Sequence, residues 1–482
     1  MKPHVTIIGG GITGLAVAWY LQQQAQSHNQ SANYTLLEQS HRWGGKILTE
    51  TVTGYAEQPF VIEGGPDSFL TQKPWAAQLA RELTIDEALL PSNDARRKTF
   101  VLHKGKPTSL PDGVMLIVPT KLKPFILSGL ISPLGKLRMG LDWFIPAKKD
   151  EADETLAEFI RRRLGNEALD KMAEPLLSGI YNADAERQSI MATFPRFREL
   201  ERKYGSLIKG MLAAANTHPQ PSANGATPAP KPTLFTSFRL GMEELVSTLS
   251  QQLTGDCRLG ATVTKIERPH HQYELTLADG TRLTTDVIVL AVPAFAAANL
   301  LHDIAPTATH ELSQIRYVST GTISLAYRRQ DIQHPLNGFG IVIPRSEKRA
   351  INAITWSSTK FEHRAPEGYA LLRVFFGGSR TPEMMAVDDA ELLATVQAEL
   401  TAIMGLTATP LFHRIFRWER ANPQYDVGHL QRVAAIQAAL PAGIFVTGSP
   451  YGGVGIPDCI HQAQATARQI MVIRGAQVDA AA

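Results

Sequence analysis

Three glycines and one glutamate carry the first chemical signal in this chain. Gly9, Gly11 and Gly14 fall in the spacing G-x-G-x-x-G, after the β-branched run "VTII" and before the helical pattern "LAVAWYLQQQ". The first glycine permits a tight turn, the second lets backbone approach a pyrophosphate, and the third lets helix pack closely on strand. The helix N-terminus, with Gly10, Ile12 and Thr13 in the same loop, offers N–H groups and a favourable dipole to phosphate. A second strand pattern, "YTLLE", ends on Glu38, followed by Gln39. That carboxylate is placed to accept hydrogen bonds from a ribose and to repel a 2′-phosphate. The polar stretch "QQQAQSHNQSAN" between the two elements reads as a surface extension.

The glycines that follow decide between the dinucleotides. "SHRWGGKILT" sets Arg42, Gly44 and Gly45 just past the acidic strand end, and "EGGPDSF" sets Gly64, Gly65, Pro66, Asp67 and Ser68 further on. A nicotinamide domain has no regular need for such close-approach returns. A buried isoalloxazine does, because its phosphates, ribityl chain and ring must all be lined. The expected cofactor is therefore FAD.

Composition bounds the rest. With 482 residues, 44% hydrophobic and 19% charged, the chain can bury a large core and build two or three lobes. A formal net charge of +3 is too mild and scattered to point to nucleic acid. Two cysteines, Cys257 and Cys459, make neither a disulfide framework nor a zinc site, so a cytoplasmic location is expected and no metal. Val5 to Ile8 already reads as a domain strand, which argues against a secretory leader, and no apolar run is long enough to span a bilayer.

The longer motifs resemble the FAD-containing amine oxidase superfamily, and within it the oxygen-dependent porphyrinogen oxidases of haem synthesis. "GGGITGLA", "LLEQSHRWGGKI" and "VIVLAVP" are superfamily-wide; "EGGPDSF", "AEPLLSGIYNADAERQSIMATFP" and "GSPYGGVGIPDCI" resemble the porphyrinogen oxidases alone. The resemblance implies flavin contacts from the loop Gly9 to Gly14, from Glu38, Gly44, Gly45 and the turn Gly64 to Ser68, from Val263 and Trp418, and from Gly455, Ile456, Pro457 and Asp458. Ser449 stands where many superfamily members have an acid, a departure these oxidases share. It further implies oxidation of a porphyrinogen by dioxygen through flavin-borne hydride transfer, with no protein general base standing out and hand-off of product to a ferrochelatase. Coproporphyrinogen III is the expected substrate and protoporphyrinogen IX the alternative. Lys73, Arg97 and Lys98, with Arg96, are candidates for the propionates, ordinary surface charge being the competing reading. A flavin amine oxidase, a carotene desaturase and a non-catalytic protein of the same fold remain as other classes.

The fold class expected is α/β. A Rossmann-like FAD-binding domain is built from 1–75, 234–293 and 416–482, with a helical domain over 76–211, a linker over 212–233 and a mixed α/β substrate domain over 294–415. The segment from Gly113 to Pro146 is rich in Leu, Ile and Phe, is broken by Pro119, Pro124 and Pro133, and carries Lys121, Lys123, Lys136 and Arg138. It suits either peripheral contact with the inner face of a membrane or the wall of an apolar pocket. "SFRLGMEELVSTLSQQL" reads as a helix, and the run after it as a meander with a turn at Asp279–Gly280. The doublet His270–His271 reads as solvent-exposed.

Overall fold

The computed structural model describes residues 3–27, 32–111, 113–115, 117–119, 121–216 and 233–479. A five-stranded parallel sheet runs in the order Asp256–Arg258, Tyr34–Leu37, Val5–Ile8, Val287–Leu290, Ile444–Val446. Its central strands "VTII" and "VIVL" are buried throughout, and apolar but for Thr6, because both faces are covered. Val5, Ile7, Val287 and Val289 face one layer, where Ile12–Ser27, Glu243–Gln251 and Ile456–Asp479 pack. Ile8, Ile288 and Leu290 face the other, with helices Ala294–Leu301 and Pro306–Ser313 and the meander Val263–Glu267, Tyr273–Leu277, Arg282–Thr285. Gly280 closes the expected turn at φ +85°.

The second layer system is a seven-stranded sheet in the order Phe412–Pro423, Tyr317–Arg328, Tyr369–Gly377, Ala353–Trp356, Gly340–Val342, Thr99–His103, Lys106–Ser109. The expected helical stretch 76–211 is thereby corrected: Thr99–His103 and Lys106–Ser109 form a hairpin that joins this sheet through parallel pairing with Gly340–Val342. The partner strand lies far along the chain, so local pattern did not announce it. Strand Phe412–Pro423 straddles the expected border at 415/416, and the two helices after Pro293 pack on the parallel sheet rather than with a substrate lobe. The expected helix from Ser237 is shorter, Glu243–Gln251, and strand Phe235–Phe238 precedes it.

Helices Leu156–Arg163, Pro195–Tyr204 and Leu207–Asn216 pack around the π-helix Leu169–Ser178. Thr155 opens the first with a capping box to Glu158. Pro175, which lacks an N–H, sits inside the π-helix. Most of the proline- and alanine-rich tract read as a linker, 217–232, lies outside the described residues, as do 28–31 of the extension after the first helix. No described helix is long and apolar enough to cross a membrane. His270 and His271 are exposed between two meander strands.

Candidate functional site

The glycine turn is the floor of the site. A Cβ on Gly14 would lie 1.9 Å from the Gly9 carbonyl oxygen, so helix and strand approach as closely as backbone allows, whereas a Cβ on Gly11 would meet nothing within 4 Å. Open space therefore begins at Gly11, at the start of the helix that carries Ile12 and Thr13. Glu38 accepts the Gly10 amide at 2.6 Å and the Ser40 amide at 2.8 Å, which fixes its carboxylate at the edge of that space. The return loop closes over it: the Gly44 amide donates to the Gly10 carbonyl at 2.8 Å, and a Cβ on Gly45 would sit 3.3 Å from Gly11 Cα. Arg42 donates to the carbonyls of Trp43, Gly45 and Ile47, so it braces this loop. Gln39 is exposed beside Glu38. The Ala261 amide donates to the Glu38 carbonyl at 2.9 Å, which brings Val263 alongside.

The second turn is held by the seven-stranded sheet. The indole of Trp418 donates to the Gly64 carbonyl at 2.7 Å, and Arg373 donates to that of Gly65 at 2.6 Å. Gly65 is wedged so tightly that a Cβ would fall 1.7 Å from the Lys46 carbonyl oxygen. Beyond Pro66, Asp67 takes the Lys360 ammonium at 2.9 Å and the Ser68 hydroxyl at 2.7 Å. Burial acts to raise the Asp67 pKa, but Lys360 and Arg373 outweigh it and hold the carboxyl well below the usual range. Burial pushes neighbouring Glu63 up to about 7, against Arg364, the Met242 amide and the Thr49 hydroxyl.

Lys46, between these two turns, is a residue the sequence reading passed over. Burial lowers its pKa, and its ammonium donates to the Ala421 carbonyl beside Trp418. Its signal was available: a cation directly after two close-approach glycines.

The third wall is the start of helix Ile456–Asp479. Gly455, Ile456, Pro457 and Asp458 lead into it, and Ile456, Cys459 and Ile460 share one core with Ile12 and Leu15, so this helix start and the glycine turn adjoin. Lys73 is bound to Asp458 rather than standing free for a substrate. Tyr425 donates to the Ser449 carbonyl at 2.5 Å and accepts the Gly453 amide at 2.8 Å, while its ring lies 5.6 Å from that of Tyr181. The basic cluster is placed elsewhere. Arg97 is exposed with Asp94 at 3.9 Å, Lys98 is exposed with its carbonyl bonded to the Phe339 amide, and Arg96 lines an open crevice with Arg329 and Tyr369.

These walls fit a dinucleotide. The open face at Gly11 has a helix N-terminus on one side and a carboxylate suited to ribose hydroxyls on the other. A profile of the flavin containing amine oxidoreductases matches residues 12–471. The chain is 38% identical to the coproporphyrinogen III oxidase of Bacillus subtilis (strain 168), over 96% of this chain and 97% of that one. It is 30% identical to the chloroplastic protoporphyrinogen oxidase 1 of Spinacia oleracea, over 96% and 83%. Its fold is similar to that of a candidate protoporphyrinogen oxidase from Exiguobacterium sp. 255-15, with TM-score 0.84, 30% identity, and 98% and 99% of the two chains covered.

Proposed function

The chain belongs to the flavin containing amine oxidoreductase family, and on that premise we propose that it oxidises coproporphyrinogen III to coproporphyrin III with dioxygen as the final acceptor. FAD is its cofactor. The observation that carries the reading is that three stretches resembling porphyrinogen oxidases meet at one site. Lys73, just past "EGGPDSF", bonds to Asp458 of "GVGIPDC", and Tyr425 bonds to the Ser449–Gly453 loop while packing on Tyr181 of "LLSGIY".

When bound, FAD supplies two-electron hydride acceptance and reoxidation by dioxygen. Removing six electrons from a porphyrinogen therefore takes three rounds, each yielding one hydrogen peroxide. The protein binds and orients. The loop Gly9–Gly14, with Gly44 and Gly45, would take the pyrophosphate, Glu38 the ribose and Val263 the adenine edge, while Gly64–Ser68, Trp418 and Gly455–Asp458 would line the ring end. Lys73 faces the propionates only in company with Asp458, so it offers substrate a neutralised pair.

The same proposal extends to location. Leu127, Leu134, Leu137 and Phe144 are between 66% and 79% exposed, with Lys121 and Lys123 nearby. This face docks on the cytoplasmic surface of an anionic membrane, and the porphyrin product is passed to a ferrochelatase. The deciding experiment is the spectrum of the purified protein, followed by porphyrin fluorescence and peroxide formation in air with each porphyrinogen. Yellow protein that is faster on coproporphyrinogen III is expected. A preference for protoporphyrinogen IX overturns the substrate, and turnover of amines alone overturns the class.

A further inference from the structure

We propose that Arg373 is a positioning residue for the flavin: through the Gly65 carbonyl it sets the turn Gly64–Ser68 against the cofactor, resting on the flavin reading above.

Arg373 stands in the interior of strand Tyr369–Gly377, paired with Ser324 on one side and Thr355 on the other, and is 4% exposed. A guanidinium in the middle of a buried sheet is expensive to desolvate, so its partners show what it is for. Its short directed bond goes to the Gly65 carbonyl at 2.6 Å, with a longer one to the Thr322 hydroxyl at 3.4 Å. Among the described residues its Nε has no hydrogen-bond partner and its remaining contact is the face of the Phe375 ring, so its shortest hydrogen bond is the one to that turn. Glu63, Asp67, Lys360 and Arg364 surround it, and the two carboxylates partly offset its burial. Trp418 grips the preceding carbonyl from the strand beyond Tyr317–Arg328. Both carbonyls of the glycine pair are thus pulled to the seven-stranded sheet, and the Lys46 carbonyl blocks Gly65 from behind. The turn has no freedom to set its own angle.

Arg364 is the internal comparison. It shares the cluster at 2% exposure, yet it bonds to Ser237 Oγ and the carbonyls of Phe238 and Arg239, and reaches the turn only at second hand, through the Ser237 hydroxyl that donates to the Asp67 carbonyl. A purely structural ion cluster makes the two arginines equivalent, whereas a positioning role separates them.

The experiment compares R373M, R373K and R364M by melting temperature, by FAD affinity of the deflavinated proteins and by the reduction potential and visible spectrum of the bound flavin. R373M is expected to weaken FAD by up to about tenfold, the limit reached when the whole of the charged hydrogen bond to Gly65 serves to hold the turn, and to shift potential and spectrum. R373K should recover most of the affinity, and R364M should lower the melting temperature with affinity and potential unchanged. Equal loss of melting temperature in R373M and R364M, with wild-type affinity and potential in both, overturns the inference. Should R373M fail to fold, R373Q, whose shorter side chain does not reach the Gly65 carbonyl, takes its place, and R373Q with wild-type affinity, potential and spectrum overturns it equally. Wild-type protein that takes up no FAD refutes the flavin reading instead.

Discussion

The ammonium of Lys73 lies 2.6 Å from each carboxylate oxygen of Asp458, tying the chain past the second glycine turn to the first turn of the C-terminal helix. The pair is lopsided: the Lys73 side chain is 42% exposed and that of Asp458 15%. Losing the lysine strands a carboxylate with little water, whereas losing the carboxylate leaves a lysine that water can solvate. K73M is therefore expected to destabilise by about 1–3 kcal/mol and D458N by less than about 1 kcal/mol, with K73M/D458N recovering most of the first loss. Urea unfolding checks this, and a double variant no better than K73M breaks the coupling. On substrates, K73M leaves the Asp458 carboxylate uncompensated, so it should lose more rate with coproporphyrinogen III, which has four propionates to repel, than with protoporphyrinogen IX, which has two.

Gly11 and Gly14 are expected to fail differently. Open space at Gly11 lets G11V fold with a near wild-type melting temperature for the deflavinated protein, but the new side chain occupies pyrophosphate space and the protein should purify colourless. At Gly14 a methyl meets the Gly9 carbonyl, so G14A should lose about 1–3 kcal/mol even without flavin. A yellow G11V with full occupancy contradicts the site.

His429 sets an acid limb on stability. The ring is buried and stacked on Tyr425 at 4.1 Å. Burial, then Arg432, lowers its pKa from 6.5 to about 4, despite Asp426 and Asp153. The unfolded chain binds the proton more readily, so this contribution is complete above the unfolded value and is lost as pH falls toward the folded one. Roughly 3 kcal/mol should disappear between pH 7 and pH 4 in wild type relative to H429F. Parallel stability–pH curves for the two proteins would exclude the assignment.

The exposed face of the helical lobe should bind anionic vesicles, and the triple variant L134E/L137E/F144E should not. Flotation at low salt measures this, and added salt should weaken wild-type retention. Wild type left in the lipid-free fraction at low salt would refute membrane docking.

Local pattern was enough to find the phosphate turn, because strand, glycine spacing, helix and acidic strand end are all written within one βαβ unit and each obeys a short-range rule. Glu38 and Gly44 lie against that turn, each bonded to Gly10. The family-specific segments could likewise be picked out by their residues, but not what they touch.

Contacts across the fold were decided by the tertiary structure. The hairpin of Thr99–His103 and Lys106–Ser109 found its place by pairing with a strand more than two hundred residues away, and a short alternating run does not name its partner. Lys73 looked like a free cation because its counter-ion, Asp458, is 385 residues distant. Arg96, Arg97 and Lys98, close to it in sequence, joined neither that pair nor the glycine turn, since chain proximity sets no direction for a side chain on an exposed loop. Arg373 gave no signal at all, for an arginine in an apolar run looks misplaced until folding brings the Gly65 carbonyl, Glu63 and Asp67 around it. The cofactor class was determined by sequence alone, because backbone close to phosphate demands glycine at stated intervals. Which charges stay free for substrate was settled only on folding, when distant groups of opposite sign were enclosed together and had to pair.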